Sequence, residues 1–467
     1  LALAGAMTLG ACAAGQPEIA TPTPTLPETF LFTPARATGS SLEALLPRED
    51  PAFASLTAQT LAASPTLAEA LARIEQARAG VDAARAARMP AIGANASVTG
   101  TRTNPSQFSS ALPPGISIDT ERVAYGANLT AAWDPDIFGR LRAQERAAMA
   151  RVDAADASAA AVRIALVSEI AASVIDWRTL DSREAALRED VAAAEGLARL
   201  SLVRERAGIA PGFDRVRAES AAATSRSRLV ALGSERARII GRLVTLTAGS
   251  GAQVAAALAM PAVSAPLPQA PQSVPSELLL NRPDVVAAAA TLRAEDAELA
   301  AAATRRFPSF GLSGTLGLLA YGLGNLFDSG SLVGSLAASV AGPLLDFGRI
   351  EAEIDSAAAG KKAAFEAYRG TVYTALGDAE AGYGLVAAAD LEAVAAAEEA
   401  TSLTRAARIA ETRQRAGLAD FLTVLEARRA ADASGERAAA AAGRAKRARV
   451  VLWQALGGAP IPQDEAS

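Results

Sequence analysis

The sequence contains no histidine and a single cysteine, Cys12, in 467 residues. Histidine is the side chain whose ordinary pKa best suits proton transfer near neutrality, and it is the commonest nitrogen ligand for zinc. Its absence removes the usual general base and the usual metal centre. One cysteine excludes an intrachain disulfide and any Cys-based metal site. Aromatic residues are only 4% of the chain, while alanine is abundant. That balance points to close helix–helix packing rather than one large globular core. The net charge of -5 comes from interspersed signs, so the basic face that nucleic acid needs is absent. No uninterrupted run of about 20 apolar residues occurs, which argues against a membrane-spanning helix. Carboxylates or a Ser–Lys pair remain as routes to catalysis, but no motif assembles them. No cofactor and no metal are expected.

Proline is missing from one long stretch in particular. Leu141 to Arg206 carries no proline and one glycine, Gly196. Its residues are the ones that lose least on becoming helical. As a single helix it reaches roughly 100 Å at 1.5 Å per residue, about three times a bilayer core of about 30 Å. Its charges keep it out of lipid. Phe138-Gly139-Arg140 precedes it and Arg206-Ala207-Gly208 closes it. The arrangement returns 209 residues later, from Phe347-Gly348-Arg349 to Arg415-Ala416-Gly417. Leu243 then matches Leu452, and Ala248-Gly249 matches Gly457-Gly458. Upstream, Arg88-Met89-Pro90 matches Arg306-Phe307-Pro308 at an offset of 218, so the two halves differ by nine residues between Pro90 and Phe138. Constant offsets on either side of one altered loop indicate an internal duplication.

The stretch 1–12 is small and apolar, like the end of a signal peptide. It lacks an initiator Met and a basic leader, so the chain is expected to begin part-way through its precursor. Leu9-Gly10-Ala11-Cys12 looks like a bacterial lipoprotein cleavage box with Cys12 as the lipidated residue, although an incidental cysteine fits the same position. Residues 13–60, with Pro17, Pro22, Pro24, Pro27 and Pro34, read as an extended tether with little helix before about Leu61.

Repeat 1 is expected over 61–260, an inter-repeat linker with five prolines over 261–275, repeat 2 over 276–458 and a tail over 459–467. Within each repeat a helical segment gives way to a period of two. Strands are expected at about 91–100 and 122–133, and again at 309–319 and 332–345. Val123, Tyr125, Ala127, Leu129, Ala131 and Trp133 share one face. Gly126, Asn128 and Thr130 share the other. Strands of about ten residues, apolar on one side and small and polar on the other, match a membrane barrel with a wet interior. A soluble sheet half buried on one face fits the same alternation. Four strands cannot close a barrel, and open edges are not tolerated in lipid, so closure needs several chains. Two would give eight strands and three would give twelve.

Long helices are expected at 140–206 and 349–415, and return helices at 213–248 and 418–456. Gly208 and Gly417 suit positive-φ C-caps at the turns between them. Phe365, Tyr368, Val372, Leu376, Ala379, Tyr383 and Val386 recur at steps of three and four, a core seam rather than a ligand stripe. Asp134 and Asp136 lie two residues apart, but nothing else of a catalytic site surrounds them. Asp136 is expected to cap the helix after Phe138-Gly139-Arg140. Arg282-Pro283-Asp284 reads as a helix start. The glycines between Gly322 and Gly330 lack a nucleotide-binding context and form a loop.

The duplicated order of helix, strand pair, long helix and return helix resembles the TolC-type outer membrane factors. Pro275-Ser-Glu-Leu-Leu-Leu-Asn-Arg-Pro-Asp-Val285, Arg305-Arg-Phe-Pro-Ser-Phe310 and Trp133-Asp-Pro-Asp-Ile-Phe-Gly-Arg140 resemble the lipoprotein branch that serves RND-type pumps. Asn281 stands where that branch commonly has arginine. The resemblance spans roughly residues 40–460. It implies an α+β membrane protein: a homotrimer with a 12-stranded β-barrel in the outer membrane, continued by an α-helical periplasmic tunnel. The implied partners are outer membrane lipid, a periplasmic adaptor and an inner-membrane RND transporter. The turns at Arg206, Gly208, Arg415 and Gly417 would meet the adaptor. Glu426 matches an acidic position lining the tunnel mouth, with Asp420 and Asp214 nearby. Arg217, Arg413 and Arg415 would latch that mouth. Plain turn glycines and solvated helix charges are the alternative reading of these positions.

The function expected is a passive efflux duct without chemistry of its own. The alternatives are a trimeric envelope strut without a lumen and the outer membrane duct of a type I secretion system. Small residues on the inward strand faces favour a duct over a strut.

Overall fold

The computed structural model describes residues 18–33, 41–104, 121–263, 266–273, 275–276 and 281–458. Cys12 and its cleavage box lie outside them. So do residues 105–120, between the first two strands, and residues 277–280 of the Pro275–Val285 motif. The chain divides into two compact units built from interleaved segments. One takes 75–154 and 289–367 with the N-terminal residues to 22. The other takes 23–74, 155–288 and 368–467.

The elements in order are α1 (Pro51–Ala63), α2 (Pro65–Ala86), β1 (Ala91–Arg102), β2 (Glu121–Trp133), α3 (Arg140–Arg206), α4 (Gly212–Thr247) and α5 (Gly251–Leu258). There follow α6 (Pro283–Ala303), β3 (Ser309–Ala320), β4 (Leu332–Ala341), α7 (Arg349–Arg415) and α8 (Phe421–Ala455). α3 and α7 are each 67 residues long.

In the first unit the four strands form one antiparallel sheet in the order β1-β2-β3-β4. The register decides which residues share a face. Val98 pairs with Tyr125 and Ala94 with Leu129. Leu129 pairs with Leu316 and Trp133 with Leu312. Leu318 pairs with Leu332 and Gly314 with Leu336. These positions make one apolar face across all four strands. On the other face Gly93, Thr130, Thr315 and Ser335 stand in one row, and Asn95, Asn128 and Gly317 in the next. β1 and β4 each present an unpaired edge among the described residues. β4 stops at Ala341, four residues short of the expected end. Pro343 follows, and proline has no N–H for a ladder. At Gly317 of β3 the neighbouring strand leaves no room for a side chain: a Cβ there would lie 2.5 Å from the Ala127 carbonyl oxygen and 2.7 Å from Asn128 Cα.

The strand-to-helix junctions are held by carboxylates. The Leu141 N–H donates to Asp136 at 2.8 Å and the Arg142 N–H at 3.0 Å, with the Asp136 backbone at φ 52°. Burial alone would raise the Asp136 pKa, but the two backbone donors and Arg142 hold it below its ordinary value. In the second half the Ile350 N–H donates to Asp346 at 2.9 Å. Arg85 and Arg88 pair with Glu145 of α3, and Arg306 pairs with Glu351 of α7 at 2.8 Å. Phe138 and Phe307 stack at 4.7 Å, so the strand-to-helix motif of the first half meets the helix-to-strand motif of the second.

The second unit holds the main core. Ile170, Val174, Leu180 and Leu187 of α3 pack with Leu243 of α4, Val254 of α5, Tyr383 of α7 and Leu452 of α8. Phe53 and Leu56 join them from α1, within the stretch read as an extended tether. Residues 41–60 of that expected tether are therefore not a tether. Pro51 stands at the first position of α1 and starts the helix, and Asp50 caps it through the Ala52 N–H at 2.9 Å. The half-buried Arg178 binds Asp50 at 2.8 and 3.0 Å and the Leu258 and Met260 carbonyls at 3.0 and 2.8 Å. The inter-repeat segment is held by side chains: Arg449 donates to the Pro268 carbonyl at 2.7 Å and the Tyr383 hydroxyl to the Pro271 carbonyl at 2.9 Å. Among the described residues one helix, α3, contains an 18-residue window long and apolar enough to cross a membrane, and 56% of that window is buried inside the protein. Scattered charges interrupt its alanines, so the window is not an unbroken apolar run. Its burial marks it as a core helix.

Gly317→Ala is expected to reduce sharply the fraction of chain recovered folded in detergent, because its Cβ meets backbone. Gly314→Ala, whose Cβ finds 3.7 Å to the nearest backbone oxygen, serves as the tolerated control. Asp136→Ala is expected to cost about 1 kcal/mol at neutral pH, the usual cost of a lost helix cap, read as a lower Tm by circular dichroism. Because the folded pKa of Asp136 is depressed, its contribution is present above the ordinary value of 3.8 and disappears as pH falls through the folded value. The Tm gap between the two proteins should close in acid.

Candidate functional site at the helix turns

The two turns joining long and return helices are built alike from like residues. After α3, the Gly208 N–H donates to the Glu205 carbonyl at 2.9 Å and the Ile209 N–H to the Arg204 carbonyl at 2.9 Å. After α7, Gly417 donates to Gln414 at 2.9 Å and Leu418 to Arg413 at 2.8 Å. Gly208 and Gly417 have φ 72° and 74°. This is a Schellman C-cap, whose left-handed residue favours glycine. Arg206 and Arg415 lie in the last turns of their helices, beside the exposed carbonyls that a cation complements. Arg415 also lies 3.7 Å from Glu411.

The restarts differ. α8 begins at Asp420, whose side chain accepts the Thr423 N–H at 2.7 Å. The Thr423 side chain and backbone hold the Asp420 carboxyl below its ordinary pKa. α4 begins at Pro211 with no side-chain cap, and Asp214 sits in its first turn. Asp420 therefore has a local structural task, and Asp214 is not its positional counterpart. Arg215 ties the first turn together, 2.6 Å from Glu205 of α3 and 2.8 Å from Glu219 of α4. Leu200, Val203, Ile209, Phe213, Val216 and Leu418 around the turns are all exposed.

Arg217 and Glu426 line one cleft of about 600 Å³ between α3, α4 and α8. Arg217 also rests over the Phe213 ring, 5.5 Å from its centroid. The same cleft is lined by Asp190, Arg228, Arg428, Arg429 and Asp432. Asp190 and Asp432 were not legible as site residues. Asp190 belongs to the polar run Arg188-Glu189-Asp190, which reads as a solvated face, yet it is buried. Asp432 follows Arg428 by four residues, the only sequence signal of a pairing. Burial, and then a hydrogen bond to Asp190, push the Asp432 carboxyl up to about 8. Among the described residues no group of three or more acidic side chains or cysteines is placed to hold a metal ion.

This architecture has close relatives of known kind. The outer membrane efflux protein family model matches residues 56–249 and 274–458. Outer membrane protein OprJ of Pseudomonas aeruginosa is 29% identical over 483 aligned residues, covering 98% of this chain and 95% of OprJ. The pyoverdine export outer membrane protein OpmQ of the same organism is 29% identical over 409 residues, covering 87% of this chain and 85% of OpmQ. The solved structure of the outer-membrane channel OprN superposes with a TM-score of 0.85 at 26% identity, covering 95% of this chain and 99% of that one. With both halves matched and nearly the whole fold shared, the chain belongs to the outer membrane efflux protein family.

Proposed function

We propose that three copies of this chain form the passive outer membrane duct of a tripartite RND-type efflux pump. The observation that carries the reading is the four-stranded sheet. Among the described residues it has two free edges, one apolar face, and an opposite face mostly of glycine, asparagine, serine, threonine and alanine, with Leu319 and Val333 the larger exceptions. Edges of this kind need partners in lipid, and small polar residues suit a water-filled lumen. Twelve strands from three copies leave a channel, whereas eight would be filled by their own side chains. The same small residues weigh against a strut without a lumen. The helical units then continue the duct through the periplasm, and Cys12 carries a lipid anchor in the outer membrane.

In this reading the turns at Arg206–Gly208 and Arg415–Gly417 meet a periplasmic adaptor. The rigid C-caps present Ile209 and Leu418 outward, next to basic residues, as a small apolar contact with a charged rim. Glu426, Asp214 and Asp420, repeated by symmetry, place carboxylates around the aperture, and Arg217 lines the same cleft as Glu426. The duct moves cargo without chemistry of its own. Relatives of similar identity are named for pyoverdine export and for toluene and solvent efflux. That spread leaves the choice of cargo to the inner-membrane transporter.

Purified oligomers in a planar bilayer are expected to show small, cation-preferring openings. Glu426→Ala combined with Asp420→Ala should enlarge them and weaken the cation preference, through lost charge and a loosened first turn of α8. A complete lack of conductance from well-folded oligomers, wild type and variant alike, would overturn the duct. Ile209→Asp with Leu418→Asp should leave conductance unchanged. In cells it should lower resistance to the pump's substrates on the order of tenfold, the size expected when an apolar interface anchor is lost. Unchanged resistance would move adaptor docking away from the turns.

A further inference from the structure

One pair of charges in the helical unit has no place in the duct reading. Asp190 of α3 is only 6% exposed and shares a hydrogen bond with Asp432 of α8. Two carboxyl groups hydrogen-bond to each other only if one keeps its proton. The surroundings explain why one does. Asp190, Asp432 and Glu411 of α7 are three acids grouped around one guanidinium, that of Arg428. Arg428 spends its hydrogen bond on Glu411, at 3.3 Å. Its Nε lies 3.9 Å from Asp432 and has no hydrogen-bond partner. The other charged side chains lining the cleft are Arg217 and Arg228 of α4 and Glu426 and Arg429 of α8. Among the described residues none of these four is ion-paired to Asp190 or Asp432.

We propose that Asp190 and Asp432 form a one-proton latch between α3 and α8, which holds the helix-turn end of this unit packed while the proton is shared and loosens it when the proton leaves. With the proton in place, the O–H of one carboxyl donates to an oxygen of the other and ties two helices from different halves of the duplication. On deprotonation the proton passes to water in the cleft, and two adjacent carboxylates repel. Arg428, four residues before Asp432 on the same helix, offers its idle Nε. The Asp432 carboxylate therefore exchanges a partner on another helix for one on its own. The inter-helix tie is lost while α8 itself is kept.

The direction with pH follows from which state holds the proton. Asp432 has an ordinary value of 3.8 and is pushed up to about 8 by burial and by Asp190. The latch contributes fully below the ordinary value, and its contribution is lost as pH rises through the folded value. The tie is thus closed in acidic and neutral periplasm and opens in alkali. As a control of the aperture this rests on the duct reading. As a tie between two helices it stands independently.

The test uses hydrogen exchange of the full-length oligomer in detergent between pH 7 and pH 9, corrected for the intrinsic rate. In the wild type, protection of α8 around residues 428–436 and of α3 around residues 186–194 should fall at least tenfold. In Asp432→Asn the amide keeps a hydrogen bond to Asp190 without titrating, and protection should stay flat. Asp190→Asn, the mirror variant, should be flat too, which guards against a folding defect peculiar to one substitution. Flat protection in the wild type overturns the latch. So does a fall of equal size in wild type and both variants, or a fall reversed by adding calcium rather than acid. Conductance in the same buffers separates the two readings. It should rise with pH in the wild type and remain at its pH 7 value in the variants. If exchange responds and no conductance appears at any pH, the duct reading fails while the latch stands.

Discussion

The backbone groups on the outer edges of β1 and β4 have no partners among the described residues, and the rest of the assembly depends on where they go. A sheet with one apolar face belongs against lipid, and in lipid an unpaired N–H or C=O costs several kcal/mol. A single chain cannot meet that demand with four strands. Copies must pair edge to edge until the sheet closes, and the number of copies sets whether the interior is filled or open. Small residues on the inner face, with Gly317 allowing β2 and β3 to approach closely, make the open solution habitable by water.

Duplication answers a second demand, how to project helices from such a sheet. Each half leaves its second strand through a carboxylate that caps the long helix, and each half holds the helix preceding its first strand by arginine–carboxylate pairs. The two junctions are similar but not copies: Asp136 reaches Leu141 and Arg142, while Asp346 reaches Gly348 and Ile350. At the far turns the two Schellman caps are near-identical, yet one return helix starts at a capping aspartate and the other at a proline. Differences of this size between repeats give a chain two kinds of turn where an exact repeat would give one.

Much of the fold could be read because its signals are local. A switch of hydrophobic period from 3.6 to 2, proline-free stretches and glycines one residue past a helix end all act within a few residues, and an internal repeat supplied an independent check. Where reading failed, long-range packing had won. Residues 13–60 read as a proline-rich tether, but over 41–60 Pro47 and Pro51 border or start helical segments. Arg178, far away in the chain, binds Asp50, and the core buries Phe53 and Leu56. The end of β4 was missed because the alternation runs on past the proline that ends the ladder. The candidate site divides the same way. The turn glycines and Glu426 carry sequence signals, whereas Asp190 sits in a charged run that gives no hint of burial.

By itself the sequence determined the duplicated plan, the face assignment of every strand and the lengths of the long helices, since these depend on the order of residues along the chain. Which charges meet depends on how distant segments pack. Asp190 and Asp432 are 242 residues apart, and neither is unusual among its neighbours. They share a cleft because α3 and α8 pack side by side. Burial and charge proximity, which govern whether a carboxyl keeps its proton, arise only when distant segments come together.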